Sequence, residues 1–177
     1  MDDPIIAATQ QWLERAVIGL NLCPFAKAVH VKRQIRYAVS TSQTLDDLLA
    51  ELAVELQHLN EADPAQIDTT LLIVPQMLSD FLDFHFFLEE AEVLLKRSGL
   101  VGVIQIASFH PRFEFAGSAP DDIANYSNRS PYPTLHLLRE ASIDRAVAAF
   151  PDAADIYERN IETLEQLGHT GWQALFK

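Results

Sequence analysis

Most of the side chains that could perform chemistry fall in one stretch, residues 108–133, with the sequence SFHPRFEFAGSAPDDIANYSNRSPYP. Within it, His110 is a base or a metal ligand near neutral pH. Arg112 and Arg129 carry forked donors that suit a carboxylate or a phosphate. Asp122, or Asp121 beside it, would orient the histidine. This combination predicts a site for a small anionic molecule.

Neutral hydrogen-bonding side chains in the same stretch would complete such a site. They are Asn125, Tyr126, Asn128 and Ser130. Asn128 and Ser130 could instead satisfy backbone groups of an ordered loop, and a structural role stays open for each residue of the stretch. The length favours function, because connectors usually take four to six residues and longer ones are functional or disordered. Five aromatic side chains in the stretch argue against disorder.

A second candidate is Cys23, in the sequence LNLCPFAK. It precedes Pro24 at the start of a predicted turn, where backbone N–H groups would lower the pKa of the thiol. Lys27, one turn further on, would act in the same direction. If Cys23 folds next to His110, we expect the thiol to be a nucleophile and the imidazole its base. The alternative is that a lone cysteine is a small buried hydrophobe.

The overall composition excludes several classes of protein. The net charge of −12 makes binding to nucleic acid or to an anionic membrane surface unfavourable. A single cysteine rules out an intrachain disulfide and a zinc site of several thiolates, and we predict no metal site. No apolar stretch is long enough to span a membrane, and the first residues do not resemble a signal peptide. We therefore expect a soluble cytoplasmic protein.

The elements that must position these residues follow from the hydrophobic pattern. Pro4 opens a first helix with Asp2 or Asp3 as its cap, and Thr44 and Asp47 have capping-box spacing at the start of another. Apolar periodicity predicts helices near residues 4–20, 44–61, 79–98, 134–149 and 152–168, the last of them ending at LGHTGW. Strands are predicted within residues 29–39, 69–75 and 100–109.

Strands that alternate with helices favour the α/β class. We expect residues 1–177 to form a single α/β domain, with one small, mostly parallel sheet of three or four strands packed with helices. Ligands of open α/β sheets bind outside the carboxyl ends of the strands. Residues 108–133 leave the predicted third strand at that end, which is where a site would lie.

Two long motifs carry a resemblance to a known family. They are WLERAVIGLNLCPFAKAV and QIASFHPRFEFAGSAPDDIANYSNRSPYPTLHLLREASIDRAV. With these motifs the chain resembles DUF1415, a bacterial family whose name records no assigned activity. The resemblance therefore implies no catalytic residues, and the predicted site depends on residue chemistry alone.

Three functional hypotheses follow. The first is an enzyme that acts on a small carboxylate or phosphate metabolite, with His110, Cys23 and Asp122 as catalytic residues. The second is a protein without chemistry that uses the 108–133 loop to bind an anion or a partner. The third is a structural or interaction protein that forms homo-oligomers. The sequence indicates no particular substrate, reaction or cofactor.

Overall fold

Residues 3–150 and 152–177 are described by a computed structural model. In chain order the elements are α1 (Pro4–Trp12), a π-helix (Leu13–Ile18), α2 (Ala26–Val31), β1 (Ile35–Val39), α3 (Leu45–Glu61), β2 (Thr69–Ile73), α4 (Phe81–Arg97), β3 (Ile104–Phe109), a 3₁₀-helix (Ile123–Asn128), β4 (Thr134–Arg139), α5 (Glu140–Ala149), a 3₁₀-turn (Ala153–Asp155) and α6 (Ile156–Ala174).

The ends of several helices follow from local side-chain chemistry. Asp3 caps α1, with its carboxylate accepting from the Ile5 amide at 2.8 Å, and the Thr44 hydroxyl caps α3 by accepting from the Asp47 amide at 3.1 Å. Both caps confirm the sequence predictions. Gly168 interrupts α6 with φ 66°, a left-handed conformation that a glycine adopts without strain, and a second helical segment follows this break up to Ala174. The predicted end of a helix at LGHTGW is therefore confirmed at Gly168, whereas the short helical segment that follows was not predicted.

The four strands form one mixed sheet in the order β1-β2-β4-β3. β1 and β2 are parallel, whereas β4 is antiparallel to both of its neighbours. The α/β class and the predicted number of strands are confirmed. The expectation of a mostly parallel sheet was wrong, because residues 134–139 were interpreted as helix and instead form the central antiparallel strand.

The first strand is also shorter than predicted. Val29 and Val31 belong to α2, and the chain reaches β1 only after a turn in which Arg33 has φ 58°. The apolar alternation over residues 29–39 thus combined the end of a helix with a strand of five residues.

The two faces of this sheet are covered very differently. On the first, which we call the packed face, α3 and α4 lie over the side chains of Leu72, Leu135 and Leu137 and enclose a core of large apolar residues. On the second, which we call the open face, a smaller cluster centred on Trp12 and Leu164 joins α1, the π-helix and α6 to residues of the two edge strands, β1 and β3. The remainder of the open face borders a cavity.

Candidate functional site

Residues 110–133 connect two antiparallel strands, β3 and β4, and do not lead from a strand into a helix. Residues of this connector bind one another. The Asn128 side chain donates to the Ser108 carbonyl at 3.2 Å, and the His110 amide donates to the Asn128 carbonyl at 3.1 Å. The loop is therefore closed at its base by its own polar groups.

His110 is completely buried on the packed face. Its Nε2 lies 2.9 Å from the Leu78 carbonyl, and its Nδ1 accepts from the Arg112 amide at 2.9 Å. Its ring contacts those of Phe81 and Phe84, with centroids 5.3 and 5.0 Å away. Burial lowers the pKa of this imidazole. Because backbone groups occupy both ring nitrogens, His110 cannot accept a substrate proton without losing one of these bonds.

The predicted neutral binding groups have structural partners in the same loop. Asn125 is fully buried, where its Oδ1 accepts from the Phe115 amide at 2.9 Å and its Nδ2 donates to the Ala119 carbonyl at 2.8 Å. Ser130 donates to the Tyr132 carbonyl at 2.6 Å. Asp122 accepts from the Ala124 amide at 2.9 Å and so caps the 3₁₀-helix. Packing and backbone satisfaction account for these side chains.

The two predicted guanidinium groups border one shallow cleft of about 590 Å³, which also includes Asp80 and Glu114. Arg112 donates to the Ser79 carbonyl at 3.0 Å. Arg129 lies over the Tyr126 ring, with its guanidinium carbon 4.3 Å from the centroid, and donates to the Phe113 and Pro120 carbonyls. The structure thus brings Arg112 and Arg129 together, beside two carboxylates.

Cys23 lies away from these residues. It packs on the open face with the Trp12 cluster, whereas His110 packs on the opposite face against α4. The backbone amides of Phe25 and Ala26 lower the pKa of the thiol, as the sequence predicted, but burial raises it more, and the net pKa is raised. The predicted pairing of Cys23 with His110, and the predicted activation of the thiol, are therefore without geometric support.

Cys23 does line a cavity with a volume of about 780 Å³. The floor of this cavity is the open face of the sheet, and its sides are α1, the π-helix, α2 and α5. Most of its lining is apolar, and Leu71, Ala107 and Phe109 are examples from the strands. Trp12 contacts Phe109 edge-to-face at 5.1 Å and closes one end.

Two helices beside this cavity contain no buried residue. α2 and α5 bury no residue, whereas α1, α3, α4 and α6 each bury at least two. The inner side of α5 carries Ile143 and Ala146, and both border the cavity. Phe25 and Phe150 meet edge-to-face at 5.4 Å and link the start of α2 to the end of α5. The space between the walls is thus unfilled by the protein itself.

His136 is a polar residue at the floor of the cavity, in the row that runs Tyr37, Leu71, His136 and Ala107 across the sheet. Its Nε2 lies 2.7 Å from the Thr69 hydroxyl oxygen. Burial lowers the pKa of His136 to about 4, so the imidazole is neutral at neutral pH.

Charged residues lie at the edge of the cavity. Asp68 accepts from the Ser142 hydroxyl at 2.6 Å, and Ser142 in turn accepts from Arg145 at 3.0 Å. Lys32 is exposed on the opposite wall, after α2. The charged residues among the described lining are thus Lys32, Arg145 and Asp68, with a net charge of +1. The whole chain, by contrast, has a net charge of −12.

Sequence reasoning missed His136 and Thr69. The sequence TLHLLR was assigned to a helix, so His136 was not expected to lie beside Thr69 in a sheet. The available signal was the β-branched and apolar run beginning at Thr134, directly after Pro133.

The described residues include no group of three or more His, Cys, Asp or Glu side chains placed to hold a metal ion. Within residues 3–150 and 152–177, no helix has both the length and the apolar character needed to cross a membrane.

The family model described as "Protein of unknown function (DUF1415)" covers residues 4–174. No curated protein and no solved structure matches the chain.

Proposed function

The chain belongs to the DUF1415 family, and we propose that it binds a small, mainly apolar anion in the cavity on the open face of its sheet. The observation that carries this proposal is that α2 and α5 bury no residue of their own and enclose about 780 Å³. Two helices held beside an apolar space gain their missing contacts when a ligand fills it.

The size and lining of the cavity fit this role. Ligand sites commonly measure about 300–1,000 Å³ and combine apolar walls with a few polar groups that fix orientation. Here the polar groups are separated, since His136 and Thr69 lie at the floor whereas Lys32 and Arg145 lie at the edge. An apolar body with an anionic end matches this arrangement, because the charge then stays at the hydrated edge.

The expectation of a small anionic ligand is kept in this proposal, but the site is different. In residues 110–133 the polar side chains are engaged with their own backbone, so fewer donors remain for a ligand than the sequence suggested. Catalysis by this chain stays a prediction, as do its bacterial origin and cytoplasmic location.

The proposal can be tested with simple acyl probes. Octanoate and decanoate should raise the Tm of the protein, because a ligand that binds only the folded state stabilises it. The variant Ala107→Phe places a ring in the cavity and should abolish this shift. Val101→Phe adds the same ring at an exposed position outside the cavity and should leave the shift unchanged. No shift with any probe, or equal shifts in both variants, would refute binding in the cavity.

The charge at the edge can be tested separately. In Lys32→Ala/Arg145→Ala, octanoate should bind roughly tenfold more weakly, as expected for the loss of about 1.4 kcal/mol of charge interaction. Octanol, which has the same apolar chain and no charge, should bind both proteins equally. An equal loss for both probes would mean that the two substitutions damage the cavity and do not remove an anion contact.

A second candidate function is anion binding at the cleft between Arg112 and Arg129. The supporting observation is that both guanidinium groups line this one cleft. Pyrophosphate titrated calorimetrically into wild type and into Arg112→Gln would test it, with Arg97→Gln as a control on a helix end away from the cleft. Binding that is absent, or equal in all three proteins, would remove this candidate.

Self-association remains an alternative to ligand binding. Leu82, Phe86 and Val93 are exposed at helical spacing along α4, and such a stripe suits a contact with another protein surface. A Tm that rises with protein concentration would support a homo-oligomer, and a concentration-independent Tm would argue against it.

A further inference from the structure

Hydrogen bonding determines which nitrogen of the His136 ring carries the proton. The Thr69 hydroxyl lies 2.7 Å from the Leu137 carbonyl oxygen and 2.7 Å from Nε2 of His136. A carbonyl oxygen can only accept, so the single hydroxyl proton of Thr69 is donated to Leu137. The hydroxyl oxygen then has only lone pairs left for the imidazole. Nε2 of His136 must therefore carry a proton and donate it to Thr69.

The second ring nitrogen is consequently an acceptor. A neutral imidazole has one N–H group, and in His136 that group is at Nε2. Nδ1 then presents a lone pair. It makes no hydrogen bond to a described residue, whereas His110 on the packed face has backbone partners at both nitrogens.

This lone pair is accessible from the cavity. In the described part of the chain, the sealed side-chain polar atoms without a partner are the hydroxyl oxygens of Tyr37 and Thr70. Nδ1 of His136 is not one of them, and the His136 side chain is partly exposed and lines the cavity. The floor of this apolar cavity thus presents an accessible acceptor on His136.

We propose that the ligand of this cavity is an apolar acid that also carries a hydroxyl or N–H group, and that this group donates to Nδ1 of His136. The inference depends on the proposed function and specifies the chemistry of its ligand. The anionic group lies at the edge near Lys32 and Arg145, and the donor group lies at the floor. Thr69 is a positioning residue, because it holds the imidazole in the tautomer that accepts from the ligand.

Hydroxyoctanoates with the hydroxyl group at successive carbons are the first probes. At least one isomer should bind wild type roughly tenfold more tightly than octanoate, the effect of one added hydrogen bond in a dry site. The methyl ether of the same isomer accepts but cannot donate, and it should lose this gain. His136→Phe should bind octanoate and the hydroxy isomer with equal affinity, because the acceptor that distinguishes them is absent.

Thr69→Val tests the positioning role, because it removes the acceptor for Nε2 without changing the shape of the side chain. The imidazole of this variant can then carry its proton on either nitrogen, so discrimination between the hydroxy acid and its ether should fall. In wild type without ligand, the ¹⁵N shifts of the His136 ring should report the Nε2–H tautomer. A protonated Nδ1 would overturn the inference, whatever binds.

The outcomes separate the inference from the proposed function. If octanoate binds but no hydroxy isomer binds more tightly, the inference is wrong and the cavity remains a site for simple apolar anions. If the preference is present and survives in His136→Phe, the donor group meets another partner and the inference is also wrong. If no acyl probe binds at all, both are overturned.

Discussion

The two faces of the sheet are formed by the same four strands but are packed very differently. On the packed face, two helices of 17 residues each supply the apolar side chains that surround Leu72, Leu135 and Leu137. On the open face, α2 has six residues and α5 ten, and neither buries a side chain. Close packing on one side therefore supplies the stability that allows the other side to keep an unfilled space.

The same difference appears in the histidines of the two faces. His110 is sealed on the packed face with both ring nitrogens occupied, and it is part of the scaffold. His136 is held on the open face through one nitrogen only. A buried polar side chain is available for binding when the fold leaves one of its groups unpaired beside a space.

The largest expected effect is a difference in stability between the faces. Leu137→Ala removes a fully buried side chain from the packed face and should lower the free energy of unfolding by about 2–5 kcal/mol. Ile143→Ala, on the cavity side of α5, should cost less than about 1 kcal/mol, because this side chain is already partly exposed. Urea denaturation measures both. Equal losses would mean that the open face is as tightly packed as the other.

A second prediction compares the histidines by titration. The pKa of His136 is lowered from 6.5 to about 4, so between these pH values the unfolded chain binds a proton that the folded chain does not. Stability is therefore full above about pH 6.5 and falls as the pH drops towards 4, by up to about 3 kcal/mol. His136→Asn should remove this part of the pH dependence in denaturation curves.

The control for this titration is His110→Asn. The pKa of His110 is also lowered by burial, so its contribution has the same sign. This variant should nevertheless keep the loss that His136 causes. If His136→Asn leaves the pH profile unchanged, the imidazole is more hydrated than its place in the cavity indicates.

A third prediction tests whether the loop between β3 and β4 resembles the packed face. Asn125→Ala leaves the Phe115 amide and the Ala119 carbonyl without their side-chain partner and should cost about 1–3 kcal/mol. Asn128→Ala removes a longer bond to the Ser108 carbonyl and a bond from the neighbouring Ser127 hydroxyl, and it should cost less than about 1 kcal/mol. If Asn125→Ala is as stable as wild type by urea denaturation, the loop is held by other contacts and its amide is available for a ligand.

The smallest expected effect is on the rate at which the Cys23 thiol is alkylated. Burial raises the pKa of Cys23, so iodoacetamide should alkylate it more slowly than free cysteine at neutral pH, and faster as the pH rises. Because His110 lies on the other face of the sheet, His110→Ala should leave the alkylation rate of Cys23 within about twofold of wild type. An alkylation rate that depends on His110 would support the predicted pairing of Cys23 with His110 and contradict their placement on opposite faces.

Much of the fold could be predicted from local patterns. The helices α3 and α4, with their apolar periodicity, and the strands β2 and β3 were predicted near their observed positions. β4 was not, because its residues run directly into the apolar periodicity of the next helix, so that residues 134–149 were interpreted as one helix. It also passes directly from Arg139 into α5 at Glu140, with no glycine or proline to mark the boundary.

The cavity was harder to predict for a different physical reason. Residues 110–133 are rich in polar side chains because a long segment without regular structure must satisfy its own backbone groups, and in sequence this resembles a site. An unfilled space has no such signature. Its lining comes from elements between Trp12 and Phe150, and it depends on what their side chains leave empty.

The order of strands in the sheet also has a consequence for synthesis. β4 lies between β2 and β3, although it is made after both. While the ribosome has produced only the residues before 134, β2 and β3 each present an unpaired edge to other chains. The sheet can close only when residues 134–139 emerge, so the nascent chain passes through a period in which it depends on rapid elongation or on a chaperone.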